Sequence, residues 1–446
     1  MDSRYIDIVE LFKSGVNEVK PDVLLGNSIS LNNNEMLIKN QSGRVLVIDL
    51  SKYDNVIVIG AGKATAAMAK KLEEILEAKI TSGTIVSKYG FKAALKVIDV
   101  LEASHPVPDE NGMKGAQAIV NICKKATEND LIINLLSGGA SALLPLPVEG
   151  VSLEEKQAVT SDLLDSGASI DEINIIRRHL SDIKGGGLLK YIYPADLVTM
   201  VISDVIGDKI DIIGSGITYP AERNIEDFNR IVEKYNLSGS TIDFVRANAG
   251  KTKETKIVSD EKLEDYKASN LVLGNNTLAL SKIKQEAEKL GYETVIVTSE
   301  LEGEASEVGE KLVEDAVDFR YNKAESGKKY CFLYAGETTV TIKGKGKGGR
   351  NQEMVLAAAR ALEGTDGITF LSGGTDGNDG PTDAAGAVCD GTTLKNGDDK
   401  YLDINEYLDN NDSYHYFKET DELLLIGPSG TNVMDVQIVL IDATLH

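Results

Sequence analysis

The segment Lys343-Gly344-Lys345-Gly346-Lys347-Gly348-Gly349-Arg350 puts four cations within eight positions of a chain that is otherwise acidic, with 47 basic and 70 acidic residues and a net charge of −23. Glycine lets a backbone come close to a ligand and turn its N–H groups inward. A helical run, Gln352 to Ala359, is predicted to begin just after the cations, and a helix N-terminus is itself an anion site. Types and spacing together describe a phosphate cradle, with Lys347 among the residues that would hold the ligand. The plain alternative is a solvated hairpin tip.

Three other turns carry the same kind of chemistry. Gly60-Ala61-Gly62-Lys63-Ala64-Thr65 follows the apolar run Val56–Ile59 and opens a helix, so a dinucleotide site must be weighed. Thr65 stands where a third glycine or alanine belongs, and the next strand ends in Ser87-Lys88 without an acid to hold a ribose. Lys63 at the helix start instead suits a phosphate or carboxylate, with Gly60 and Gly62 allowing close approach. Ser137-Gly138-Gly139-Ala140-Ser141 follows the strongest strand, Leu131–Leu136, at the end of a sheet where open α/β folds bind ligands. Ser372-Gly373-Gly374-Thr375-Asp376 repeats that pattern in the second half. Ser137, Gly138, Gly139, Ser141, Gly374 and Asp376 are the binding candidates these loops supply. Asn275, where a long amphipathic helix opens, joins them.

Carboxylates beside phosphate-binding backbone are the usual means of holding Mg²⁺, which keeps several waters and needs few protein ligands. Asp204 lies just after a strand, and Asp376, Asp379 and Asp383 crowd the second glycine loop. Asp204 and Asp383 are the metal candidates. His105, between Ser104 and Pro106, has the chemistry of a general base, but the flanking prolines read first as a rigid loop with a structural role. Arg177 and Arg178 share an otherwise apolar helix with His179, and at least one of them is expected to face solvent.

The elements that must position these groups alternate between strands and helices. Runs apolar on both sides, at Val56–Ile59, Thr84–Ser87, Leu131–Leu136 and Leu197–Ile202, are what parallel strands between helical layers look like. Helices are predicted from about Lys63 to Ala78 and Asp171 to Asp182, with a capping box at Ser152 and Glu155. Tyr330–Tyr334 and Thr338–Ile342 read as paired strands flanking Gly336-Glu337. At 446 residues the chain exceeds one ordinary core. The expected cut falls in the weakly periodic stretch between Ile225 and Asn270, giving domains 1–250 and 251–446. Three scattered cysteines argue against disulfide or zinc frameworks. No long apolar span or leader pattern occurs, so a cytoplasmic protein without membrane partner is expected. The negative charge argues against nucleic acid.

Taken in order, the motifs resemble the class II glycerate kinases. They are Gly60–Ala64, His105-Pro106-Val107-Pro108-Asp109, Ser137–Ala142, Ile202–Val205, Gly348–Glu353, Thr375–Gly386 and Thr431–Val436, the last within the C-terminal domain called MOFRL. The one departure is Met434, where many members carry asparagine. The resemblance implies a Rossmann-like parallel-sheet N-terminal domain, a distinct α/β C-terminal domain and a cleft between them. It implies phosphorylation of D-glycerate by ATP, with 2-phosphoglycerate as product, and Lys63 and Arg350 as the catalytic pair. Oligomeric state stays open, a homodimer among the options. The competing readings are a hydroxypyruvate or tartronate reductase, and a non-catalytic regulator that binds a sugar acid or a nucleotide.

Overall fold

Seven consecutive residues, Asp130–Leu136, are buried on both faces, which only a central strand between two helical layers allows. The computed structural model, which describes residues 3–221, 223–248 and 267–444, builds two compact units around two such centres. One unit is Leu24–Gly274; the other joins Met1–Val23 to Asn275–His446. The cut expected after residue 250 falls outside the described residues. Nor is the N-terminus part of the first unit, because its helix belongs to the second core.

In the first unit a small antiparallel sheet of β1 (Ile29–Asn32), β2 (Glu35–Lys39) and β3 (Val45–Asp49) precedes the main one. The main sheet contains β4 (Asn55–Ala61), β5 (Ser82–Lys88), β6 (Ile98–Ala103), β7 (Asp130–Leu136), β8 (Asp196–Ile202) and β9 (Ala268–Gly274). Its order is β6-β5-β4-β7-β8-β9, with every neighbouring pair parallel. The chain runs outward from β4, then returns to β7 on its other side. The strand order therefore reverses between β4 and β7, a switch point at whose carboxyl end open α/β sheets bind their ligands. The glycine turns after β4 and β7, and Asp204 after β8, all lie at that edge. Ser152 and Glu155 form the expected capping box on the helix Leu153–Asp165, and Ser169 and Glu172 form a second on Ile170–His179.

The second unit contains β10 (Tyr292–Leu301), β11 (Lys329–Gly336), β12 (Ile368–Gly374), β13 (Gly386–Asp390), β14 (Leu423–Leu424) and β15 (Asp435–Asp442), ordered β10-β11-β15-β12-β13-β14. Only β10 and β11 run parallel. The pairing expected between Tyr330–Tyr334 and Thr338–Ile342 does not form. β15, buried along all eight residues, takes that edge of β11, and the second segment keeps one isolated bridge, Thr339 to Glu304. The helix Ser3–Glu18 buries Ile8, Leu11 and Phe12 against Ile283, Leu371 and Ile438. Truncating the fully buried Phe12 to alanine should cost about 3–5 kcal/mol. Cys123, Cys331 and Cys389 are free and buried. Among the described residues no helix is long and apolar enough to cross a membrane.

Candidate functional site

The turn after β4 is built by contact with the turn after β7. A Cβ at Gly60 would stand 2.2 Å from the Leu135 carbonyl oxygen, and one at Gly62 would stand 2.0 Å from Ser137 Oγ. Ser137 is buried; its Oγ accepts from the Ala64 amide at 3.0 Å and lies 3.2 Å from Thr65 Oγ1. Gly60, Gly62 and Ser137 thus fasten protein to protein. Their packing holds Lys63, whose amide donates to the Gly138 carbonyl at 2.9 Å, at the carboxyl end of the sheet.

Gly139 and Ser141 border a cavity, and Gly138 packs on Asp204. A Cβ at Gly138 would stand 2.0 Å from Asp204 Oδ2. Gly139 has φ +88°, a left-handed value that favours glycine, and a Cβ there would meet the His105 ring at 2.9 Å and the Lys63 side chain at 3.5 Å. Asp204 therefore packs at Gly138, and His105 and Lys63 at the adjacent Gly139, at the carboxyl end of the sheet. Burial first, then Lys63 and Lys88, push His105 down to about 4, so it is neutral near pH 7. The ring of His105, expected first as part of a rigid loop, also lines the cavity.

That cavity measures about 680 Å³. Its lining includes His105, Gly139 and Ser141 together with Lys156, Arg177 and Lys184. Lys184, almost wholly buried, donates to Ser141 O at 2.9 Å and Oγ at 3.0 Å. Ser141 Oγ is in turn 2.7 Å from Ser215 Oγ. Lys156 is buried on the helix Leu153–Asp165, and its ammonium has no hydrogen-bond partner. Burial, then Arg177 and Arg223, bring it down to about 7. Neither Arg177, Arg178 nor His179 is exposed: Arg177 borders the cavity, Arg178 donates to the Asn174 carbonyl, and His179 packs on Phe228. The helix places them against a second layer, which its apolar neighbours alone did not announce.

The lysine-rich loop of the other unit is organised differently. Its amides are taken by protein: Lys343 and Gly344 donate to Asn411 Oδ1, Lys345 to Asn410 Oδ1, and Lys347 to Asp412 Oδ1, at 2.7–3.0 Å. The helix Arg350–Ala361 does begin there, but the Asp379 carboxylate accepts from the Asn351 and Gln352 amides at 3.1 and 2.8 Å. The expected phosphate cradle is therefore filled from within, and Asp379 is an anion already at the helix N-terminus. Burial pushes it up to about 6. Lys347 stacks its ammonium 4.2 Å from the Tyr414 ring centre. Asn275 caps the helix Asn276–Lys289 through Leu278 N at 3.0 Å.

Arg350 opens the capped helix and is held by a fork of bonds. Nε and Nη2 donate to the two oxygens of buried Asp435 at 2.5 and 2.9 Å, and Nη1 lies 2.8 Å from Glu337. Gly374 lies beside the same carboxylate, a Cβ there standing 3.5 Å from Asp435 Oδ1. Asp376 accepts from the Asn378 amide at 3.1 Å, an Asx turn. Asp383 is exposed and accepts from Tyr414 Oη at 2.8 Å, the first cause holding its pKa down. The two metal candidates belong to separate units, and no group of three or more acidic, histidine or cysteine side chains suited to a metal occurs among the described residues.

Lys156 and Lys184 were not singled out by residue type. Lys156 had a signal nonetheless: with Leu153, Val159 and Leu163 it forms the buried stripe of its helix, a lysine at a core spacing.

Residues 7–248 match the family described as Domain of unknown function (DUF4147), and residues 330–435 match the MOFRL family. A protein of Thermotoga maritima named D-glycerate 2-kinase is 42% identical over 393 residues, 87% of this chain and 91% of that one. The glycerate 2-kinase of Pyrococcus horikoshii is 36% identical over 446 residues, covering 99% of this chain and 98% of its own. A crystal structure of glycerate kinase from Thermotoga maritima aligns with TM-score 0.86 at 37% identity, over 99% of this chain and all of that one.

Proposed function

Because the chain belongs to the class II glycerate kinases, with their C-terminal MOFRL domain, we propose that it transfers a phosphoryl group from ATP to the 2-hydroxyl of D-glycerate. The observation that carries this is the 42% identity to a D-glycerate 2-kinase, sustained over 91% of that protein. The packing of His105 and Lys63 at Gly139, and of Asp204 at the adjacent Gly138, supports placing chemistry at the carboxyl end of β4, β7 and β8.

Phosphoryl transfer asks a protein for positioning and charge neutralisation more than for covalent help. Lys63 offers a compact cation for the charge that develops on the transferring group. Neutral His105 beside it can accept a hydrogen bond from the attacking hydroxyl and fix its direction. Arg350 is assigned as the second catalytic cation by its place in the family motif, and its bonds to Asp435 keep its fork oriented. Mg²⁺, when bound with the nucleotide, neutralises phosphate charge and needs only one or two protein carboxylates. Asp204, at the end of β8 and against Gly138, fits that need better than exposed Asp383. The reductase alternative is opposed by β5, which ends in Ser87-Lys88 with no carboxylate for a ribose.

Coupling the product to enolase tests the reading. With ATP and D-glycerate, signal is expected without phosphoglycerate mutase, since only 2-phosphoglycerate feeds enolase directly. A strict need for mutase would move the transfer to the 3-hydroxyl, and NADH oxidation by hydroxypyruvate would restore the reductase.

A further inference from the structure

Three cations border one cavity with too little negative charge to balance them. Lys156 and Lys184 are almost wholly buried, Arg177 is partly so, and the Lys156 ammonium has no hydrogen-bond partner. The charged groups acting on Lys156 are Arg177 and Arg223, and those acting on Lys184 are Lys156 and Arg177: all are positive. Glu154 borders the cavity too, but it is exposed at the surface of its helix. Burying an ammonium without an anion is costly, and burying several together costs more, because each raises the potential felt by the next. A ligand that supplies the missing negative charge would stabilise such a cluster in its charged form.

The surroundings narrow the ligand. Lys184 is steered by two bonds to Ser141, whose hydroxyl is braced by Ser215, so one ammonium has a fixed direction. Arg177 offers a planar fork that matches a carboxylate in two-point contact. The same cavity is bordered by His105 and Gly139, against which Lys63 lies. An acid anchored by its carboxylate among these cations would thus share the cavity with His105, with its hydroxyl end free to extend towards His105 and Lys63. Resting on the reading of the protein as a glycerate kinase, we propose that Lys156, Arg177 and Lys184 form the receptor for the carboxylate of the acceptor acid. They are specificity residues, selecting a hydroxy acid over a neutral polyol, and are distinct from the catalytic cations.

The test uses the full chain and the variant Lys156→Met, of similar length and suited to a buried position. Because an unpaired charge is removed, the ligand-free variant should melt higher than wild type. D-glycerate without nucleotide should raise the wild-type melting temperature, glycerol should not, and the variant should lose the glycerate shift while keeping the shift caused by ATP. In steady state its KM for D-glycerate should rise about tenfold or more, with KM for ATP within about twofold, as expected when a charged contact to one substrate is lost. Lys156→Arg should recover part of the glycerate shift. Arg177→Gln, nearer the surface, should reproduce the KM effect if Lys156→Met fails to fold. Unchanged glycerate KM and shift in both variants of wild-type fold overturn the receptor and leave the kinase reading standing. So does loss of the ATP shift with the glycerate shift retained. A wild type that binds but does not phosphorylate D-glycerate, with binding lost in Lys156→Met, overturns the kinase reading and upholds the receptor. A wild type that neither binds nor phosphorylates it overturns both.

Discussion

In the loop 343–349 the backbone amides of three lysines and a glycine are bonded to Asn410, Asn411 and Asp412, and the helix that follows is capped by Asp379. At the end of β7, the loop 137–141 borders a cavity where a buried ammonium has no partner at all. Both loops combine glycine with nearby cations, and the first is richer in each. The difference lies in what the rest of each unit supplies. The segment 410–412 and Asp379 bring acceptors that complete the lysine-rich loop, making it a platform that holds Arg350 at a helix start. Among the described residues no carboxylate forms an ion pair with Lys156 or Lys184. Local composition says which groups could bind an anion; the fold decides which still need one.

Replacing Arg350 tests the platform most severely. Arg350→Ala should lower kcat about a hundredfold or more, on the order of 3 kcal/mol for one lost charged donor. It should also destabilise the fold by about 3 kcal/mol, because buried Asp435 is left without its partner. Steady-state kinetics and denaturant unfolding read the two effects separately. Asp379→Ala comes next. It leaves the Asn351 and Gln352 amides unsatisfied and should cost about 2 kcal/mol in urea unfolding.

The smallest effects set the two units against each other through pH. Glu353, near Asn411, Glu304, Lys343 and Asp379, is raised by burial from 4.5 to about 7. Its folded state holds the proton more tightly, so it lowers stability as pH rises from 4.5 to 7. Glu353→Gln should match wild type below that window and melt a few degrees higher, roughly, above it. Lys156, facing Arg177, Arg223 and Lys184, is lowered from 10.5 to about 7. Here the unfolded state holds the proton more tightly, so the penalty is complete below pH 7 and fades towards 10.5. The advantage of Lys156→Met in ligand-free melts should fade over the same interval. Parallel pH profiles for both variants would mean that the contrast between the units is not electrostatic.

The sheet of the first unit was legible because its strands are apolar on both faces, and β4, β7 and β8 lie within a residue or two of the expected runs. The pairing of β11 was not, since its partner β15 is about a hundred residues away and no local pattern encodes a distant edge. Within the site, Lys63, Gly138, Gly139, Ser141 and Asp204 were readable as strand-end residues. Gly60, Gly62 and Ser137 looked the same in sequence but are consumed by packing between two turns. Lys156 was hidden for the opposite reason. A lysine on a helix reads as solvated unless its spacing to Leu153, Val159 and Leu163 is taken seriously.

The central claim, that the chemistry rests on Lys63 at the β4 strand end, with Arg350, and not on the lysines of the loop 343–349, is tested most directly by comparing Lys63→Ala with the double variant Lys343→Ala/Lys345→Ala. The measurement is kcat for D-glycerate phosphorylation in the enolase-coupled assay, with melting temperature as the check on folding. Lys63→Ala should lose about a hundredfold or more at unchanged stability, and Lys63→Arg should recover little, because a planar fork does not replace a compact ammonium. The double variant should stay within about threefold of wild type, as expected for exposed charges away from transition-state contacts. A near-normal kcat in Lys63→Ala beside a collapsed kcat in the folded double variant would contradict the account.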